Sequence, residues 1–208
     1  MVALQGSLLD LVEEPSPRPL GACLQRTVLA HGAWLDLRPA WIAGAGGLFD
    51  RLLSVVPWKA ERRRMYDRMV DVPRLVSFYG EGEHLPDPVL ELAREALNAH
   101  YGAVLGEPLC TAGLCLYRDG RDSVAWHGDT LGRAASEDTI VAIVSLGAPR
   151  GLLVRPAAGG QALRYELGLG DLFVMGGSCQ RTWQHAVPKT ARPVGARISV
   201  QFRARGVR

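Results

Sequence analysis

TAGLCLYRDGRDSVAWHGD, residues 111–129, reads as two short extended runs separated by a polar turn bounded by Gly and Asp. Outward from it towards the C-terminus the same texture repeats. Strands are expected near 111–118, 122–127, 138–146, 151–155, 161–167, 171–175, 180–187 and 195–203. Short strands in close succession, with no helical pattern between them, predict a barrel or a two-sheet jelly roll, whose open end commonly holds a ligand. Towards the N-terminus, up to about residue 105, loops and helices are expected. GLFDRLLSVV (47–56) follows a Gly pair and reads as a helix. PDPVLELAREALNAHY (86–101) reads as another: Asp87 caps, Pro88 suits the first turn, and Val89, Ala93, Ala96, Leu97 and Tyr101 recur at helical spacing before Gly102 stops it. The fold class is therefore mainly β with flanking helices.

The bulk numbers agree with one globular domain. The chain has 208 residues, 48% apolar and 22% charged, enough to bury a core without staples. MVALQGSLLDLVEEP at the start lacks the basic opening and apolar run of an export signal. No apolar stretch reaches the roughly 20 residues a membrane helix needs. Cys23, Cys110, Cys115 and Cys179 form no C-x-x-C pair. A cytoplasmic monomer that touches no membrane is the expectation. The net charge of +3 permits an anionic partner without requiring one. Lys59, Arg62, Arg63, Arg64 and Arg68 crowd ten positions, which fits either a solvated helix face or a surface that meets phosphates.

The chemistry-bearing constellation starts at His127-Gly128-Asp129. Residues i and i+2 of an extended segment point to the same side, so an imidazole and a carboxylate can converge on one ion. With a distant histidine they form the two-His, one-carboxylate facial triad of iron(II), which leaves positions open for a chelating co-substrate and for oxygen. An H-x-D pair alone arises by chance in roughly one such chain in four. His185, in the strand-like run QRTWQHAV, is the histidine placed to complete the set. His31 and His84 lie in loop-like sequence and His100 in the second helix, and these three read as structural or surface residues.

A dicarboxylate co-substrate needs an anchor, and arginine suits fork-like binding of a carboxylate. Arg197 and Arg203 stand six apart on ARISVQFR (196–203), an even spacing that sends both to one face while Ile198, Val200 and Phe202 take the other.

These blocks resemble the AlkB family of dioxygenases. LYRDGRDSVAWHGD (116–129) resembles the strands leading to the metal, IVSLGAPR (143–150) the segment after it, GDLFVMGGSCQRTWQHAVPK (170–189) the one bearing the second histidine, and ARISVQFR the closing strand. Weaker similarity in PRLVSFYGEG (73–82) and LPDPVLELAREAL (85–97) extends the match to roughly residues 57–206. The resemblance implies a double-stranded β-helix (jelly-roll) core over 106–208, a nucleotide-recognition and supporting-helix part over 57–105, and an extension of unassigned role over 1–56. It implies Fe(II), 2-oxoglutarate and O2, with His127, Asp129 and His185 on the metal. Arg197 would take the distal carboxylate of 2-oxoglutarate, Arg203 its metal-proximal end, Tyr117 a hydrogen bond to it, and Ser199 a further contact.

The implied reaction is oxidative removal of N-alkyl groups from bases of DNA or RNA, releasing formaldehyde, succinate and CO2. The base would be unpaired or flipped out. Phe78, Tyr79, Thr130 and Arg150 are the expected substrate contacts, with Trp58 a further stacking candidate and Arg62, Arg63, Arg64 and Arg74 further backbone contacts. Three positions depart from the family pattern: Cys115 and Ser199 stand where Asn is common, and Thr130 where a second acid often follows the metal-binding Asp. Two other readings stay open: the same chemistry on a protein or small molecule, and a non-catalytic module that binds damaged nucleic acid.

Overall fold

The computed structural model describes residues 13–65, 68–130 and 132–207, and the side chains among them apart from those of 63–71. The strands are β1 (Ser16–Pro17), β2 (Gln25–Val28), β3 (Trp34–Arg38), β4 (Ile42–Ala43), β5 (Lys59–Met65), β6 (Arg68–Tyr79) and β7 (Leu109–Tyr117). They continue as β8 (Val124–His127), β9 (Val141–Gly147), β10 (Arg150–Pro156), β11 (Leu163–Leu167), β12 (Asp171–Gly176), β13 (Trp183–Val187) and β14 (Arg197–Ala204). The helices are α1 (Ala45–Val55), α2 (Pro88–Leu105) and the single turn α3 (Cys179–Thr182).

A large sheet runs in the order β2-β3-β12-β9-β14-β7-β6-β5 and a smaller one β11-β10-β13-β8, while β1 pairs with β4. From β7 onwards the chain crosses repeatedly between the two larger sheets, which is the two-sheet jelly roll expected from the succession of short strands and the double-stranded β-helix that the resemblance implied. Each strand of the large sheet faces two ways. Ala112, Leu114 and Leu116 of β7 and Ile198, Val200 and Phe202 of β14 pack with Leu48, Leu52, Leu90 and Leu97 of the helices. Cys115, Tyr117, Ile143, Phe173 and Met175 point the other way, against Leu152, Val154 and Val187 of the small sheet. Period-two alternation thus builds a helix-side core and an intersheet core at once. Leu90 and Leu97 are fully buried, so truncating either to Ala costs about 2–5 kcal/mol.

Helix α2 starts as expected: the Asp87 carboxylate accepts from Val89 N at 2.9 Å, and Pro88 occupies the first turn. The same carboxylate receives Arg51 Nε of α1 at 2.7 Å, which ties the helices together. The stop lies later than expected. Gly102 stays inside the helix, and Gly106, at φ +66°, ends it in the left-handed region that glycine tolerates.

The N-terminal part holds more sheet than its sequence suggested. Residues 57–85, expected as loop, contain the long hairpin β5–β6, which extends the edge of the large sheet. The basic run therefore lies on strands rather than on a helix face. Pro73 hid β6, because a proline cannot donate to a ladder. It sits opposite the irregularity between Ala60 and Arg62, outside the stretch where β6 pairs with β7. Residues 25–56 contribute β2 and β3 to the large sheet and α1 to the core. There the fully buried Asp36 accepts from Arg26 Nε at 2.7 Å and Tyr101 Oη at 2.8 Å. At the other end, 180–187 splits: its first residues belong to α3, and only Trp183–Val187 is strand.

Candidate active site

Strands β8 and β13 are antiparallel neighbours with His127 directly opposite His185. Facing positions in such a pair bring Cβ atoms within about 5.5 Å, and here the ring centroids stand 4.1 Å apart. Asp129 lies two residues beyond the end of β8. Gly128 permits that placement, since a Cβ there would stand 2.3 Å from the carbonyl oxygen of Gln180. One ligand atom from each of His127, Asp129 and His185 lies within 4.8 Å of the others. The three expected metal ligands therefore converge.

Neighbouring groups hold them in ligating form. His127 Nδ1 lies 2.8 Å from Ala125 O, and a carbonyl can only accept, so this nitrogen carries a hydrogen and Nε2 is the one left to face a metal. Burial drives the His185 imidazole down to about 3, which keeps it neutral. Burial alone would raise the Asp129 carboxyl, but the charge of Arg203, with lesser help from His185 and His127, brings it down to about 2. A neutral imidazole and an ionised carboxylate are the states a divalent cation requires. Asp129 is steered from two sides: Arg203 Nε donates to Oδ2 at 2.7 Å, and its own N–H donates to Gln180 Oε1 at 3.0 Å.

These residues line part of a cavity of about 1010 Å³, together with Arg74, Phe78, Gly113, Cys115, Tyr117, Arg197, Ser199, Gln201 and Arg203. Arg197 is 1% exposed and donates Nε to Ser145 Oγ at 2.8 Å, yet its Nη1 is buried with no hydrogen-bond partner among the described residues. A buried charged donor without an acceptor costs more than the roughly 1–3 kcal/mol of a neutral one. A carboxylate entering the cavity removes that penalty, so the residues present fit a dicarboxylate that chelates a metal at one end. The Tyr117 ring lies 5.3 Å from the Arg197 guanidinium carbon. Burial pushes its phenol up to about 12, so it remains a donor.

Arg203 lines the cavity and donates Nε to the metal-binding carboxylate. One expected contact needs correction. Arg150 is 3% exposed, and its guanidinium donates to the carbonyls of Asp119, Asp122 and Pro188 at 2.8–2.9 Å. It braces the loop before β8 and does not face a nucleic-acid backbone. Thr130 is exposed and lies outside the cavity wall.

Phe78 is 53% exposed on the cavity wall, while Tyr79 touches the cavity and packs on the helix-side core. Trp58 also packs on that core and donates Nε1 to Leu53 O at 3.3 Å. Arg74 turns into the cavity and reaches Ser123 O at 3.3 Å, so it too is not spread on the surface. Arg62 is exposed on β5, and the side chains of Arg63 and Arg64 lie outside those described. Two functional candidates escaped the sequence reading. Gln201 had a signal, its even spacing from Arg197; Gln180, 51 residues from Asp129, had none.

Comparison with known proteins agrees with this geometry. The model of the 2OG-Fe(II) oxygenase superfamily matches residues 48–203. The chain is 32% identical to the alpha-ketoglutarate-dependent dioxygenase alkB homolog 3 of Bos taurus over 92% of its own length and 70% of that protein's. It is 26% identical to the DNA oxidative demethylase ALKBH2 of Arabidopsis thaliana over 95% and 74%. Among solved structures, a prolyl hydroxylase from Trichoplax adhaerens superposes with a TM-score of 0.58 at 10% identity, covering 81% of this chain and 83% of that one. At that identity the likeness speaks for the fold alone.

Proposed function

Because the chain belongs to the 2OG-Fe(II) oxygenase superfamily, as an AlkB-like member, we propose that it oxidatively removes alkyl groups from N-alkylated bases of DNA or RNA. It is a 2-oxoglutarate-dependent dioxygenase, and bound iron(II), 2-oxoglutarate and dioxygen supply the oxidising chemistry. The observation that carries the reading is the Nη1 of Arg197, without a partner among the described residues and buried in the wall of the cavity that also holds His127, Asp129 and His185. That pairing of a carboxylate receptor with a facial triad is what a chelating 2-oxo dicarboxylate needs.

The chain's own residues do the positioning. His127, Asp129 and His185 would hold the metal, and Arg197 with Tyr117 would hold the far carboxylate of 2-oxoglutarate. The substrate class rests on the named activity of the Arabidopsis relative and on the cavity wall. There the half-exposed Phe78 offers a face on which an unpaired base can stack. An N-methyl group would gain one oxygen atom and leave as formaldehyde, restoring the base. The second oxygen atom would enter succinate as CO2 departs.

The test is mass spectrometry of oligonucleotides bearing 1-methyladenine or 3-methylcytosine, incubated with iron(II), 2-oxoglutarate and the protein. Loss of the methyl mass, absent with His127→Ala, is expected. Succinate formed without loss of the methyl group from any methylated oligonucleotide would move the substrate to a protein or small molecule.

A further inference from the structure

Between its two arginines, β14 presents two more side chains to the cavity, Ser199 and Gln201, and neither arginine uses them. Gln201 Nε2 donates to Ser199 Oγ at 2.7 Å and lies 3.3 Å from the carbonyl oxygen of Ser199. Its Oε1 stands 3.8 Å from Cys115 Sγ. Across the ladder Gln201 faces Gly113, and Ser199 faces Cys115. The missing side chain at 113 is what makes room: a Cβ there would sit 3.3 Å from Gln201 Oε1 and 3.0 Å from Arg203 Nη1.

The direction of the short bond matters. An amide nitrogen can only donate, so Ser199 Oγ is the acceptor, and the hydroxyl keeps its own hydrogen to give away. Among the described residues no acceptor takes that hydrogen, although Ser199 is only 3% exposed. Ser199 also lies one same-face step, about 7 Å, along the strand from Arg197. A dicarboxylate running from Arg197 towards the metal passes Ser199 and Gln201, because they fill the same-face positions between Arg197 and Arg203.

Resting on the co-substrate reading above, we propose that Gln201 is a positioning residue for 2-oxoglutarate: its amide orients the Ser199 hydroxyl so that the hydroxyl donates to the co-substrate carboxylate held by Arg197. Gln201 itself acts through Ser199. The donor chain runs from amide to hydroxyl to carboxylate, and the hydroxyl hydrogen is aimed at an anion because the amide occupies its lone pair.

The experiment is calorimetric titration of 2-oxoglutarate into the full chain loaded with manganese(II), together with the manganese(II) affinity of each variant. Ser199→Ala and Gln201→Leu should each weaken 2-oxoglutarate by about tenfold or more, the share of one hydrogen bond to a charged group, with manganese(II) affinity unchanged. The double variant should match either single one, since both break the same chain. Gln201→Glu keeps the shape but replaces the donor with an anion, and should weaken binding more than Gln201→Leu. Wild-type affinity in Gln201→Leu, an additive double variant, or Gln201→Glu equal to wild type would overturn the proposal. Wild-type protein that took up manganese(II) but no 2-oxoglutarate would overturn the co-substrate reading itself, and the proposal with it.

Discussion

Arg203 and Asp129 lie 74 residues apart in the chain, yet Arg203 Nε donates to Asp129 Oδ2 at 2.7 Å, with both side chains largely out of solvent. The guanidinium aims one carboxylate oxygen and leaves Oδ1 on the side of His127 Nε2, 3.8 Å away. Partners of this kind behind a metal ligand typically carry 10–100-fold in metal affinity. Arg203→Met is expected to lose that much in a manganese(II) titration at neutral pH. Unchanged affinity would show that Asp129 is held well enough by the Gln180 amide.

Arg197 separates function from stability. Its Nη1 is buried without an acceptor among the described residues, so the ligand-free protein gains little from the charge. Arg197→Met should melt at or above the wild-type temperature while binding 2-oxoglutarate about 10–100-fold more weakly, the share of a charged hydrogen bond. Added 2-oxoglutarate should raise the melting temperature of the metal-loaded wild type and not of the variant. A strongly destabilised variant would make Arg197 a structural residue.

Phe78 is the proposed base contact. Stacking of a base on an aromatic ring contributes about 1–3 kcal/mol. Phe78→Ala should therefore raise KM for a methylated oligonucleotide by about five- to a hundredfold, with 2-oxoglutarate affinity unchanged. Because the ring is 53% exposed, folding should survive. An unaltered KM would place the base elsewhere on the cavity wall.

Asp36 has no exposure and is satisfied by Arg26 and by the Tyr101 hydroxyl at 2.8 Å. Removing that hydroxyl takes one of two donors from the buried Asp36 Oδ2, the other being Arg26 Nη2 at 2.7 Å. Tyr101→Phe should cost about 1–3 kcal/mol in a urea unfolding titration, although it touches nothing in the active site.

Cys179 introduces an alkaline limit. Burial pushes its thiol from an ordinary 9.0 up to about 12, so the folded state keeps the proton that the unfolded chain releases. The contribution is fully present below pH 9 and falls as the pH rises towards 12, with a slope of up to about 1.4 kcal/mol per unit. Cys179→Ala should flatten that part of the stability curve. An equal slope in the variant would assign the loss to other groups, among them Tyr101, whose phenol burial also pushes up.

Much of the site was legible because strands repeat every second residue. His127 with Asp129, and Arg197 with Ser199 and Arg203, lie on common faces by that rule, while Ile198, Val200 and Phe202 take the helix side. The capping of α2 by Asp87 was equally local and equally readable. The hairpin β5–β6 was less so: its charges resemble a solvated face, and Pro73 interrupts the pattern at a place where the ladder is itself interrupted.

The sequence by itself therefore determined which residues share a face, where the strands fall from β7 onwards, and which side chains could ligate iron. Only the tertiary structure decided who meets whom across strands. Arg203 went to Asp129, Arg150 to three backbone carbonyls, and Gln180 to the Asp129 amide. The physical reason is that alternation is a property of one strand, whereas sheet order and register are properties of all of them together. A side chain's partner across the ladder is settled only when every strand has packed against the same two cores.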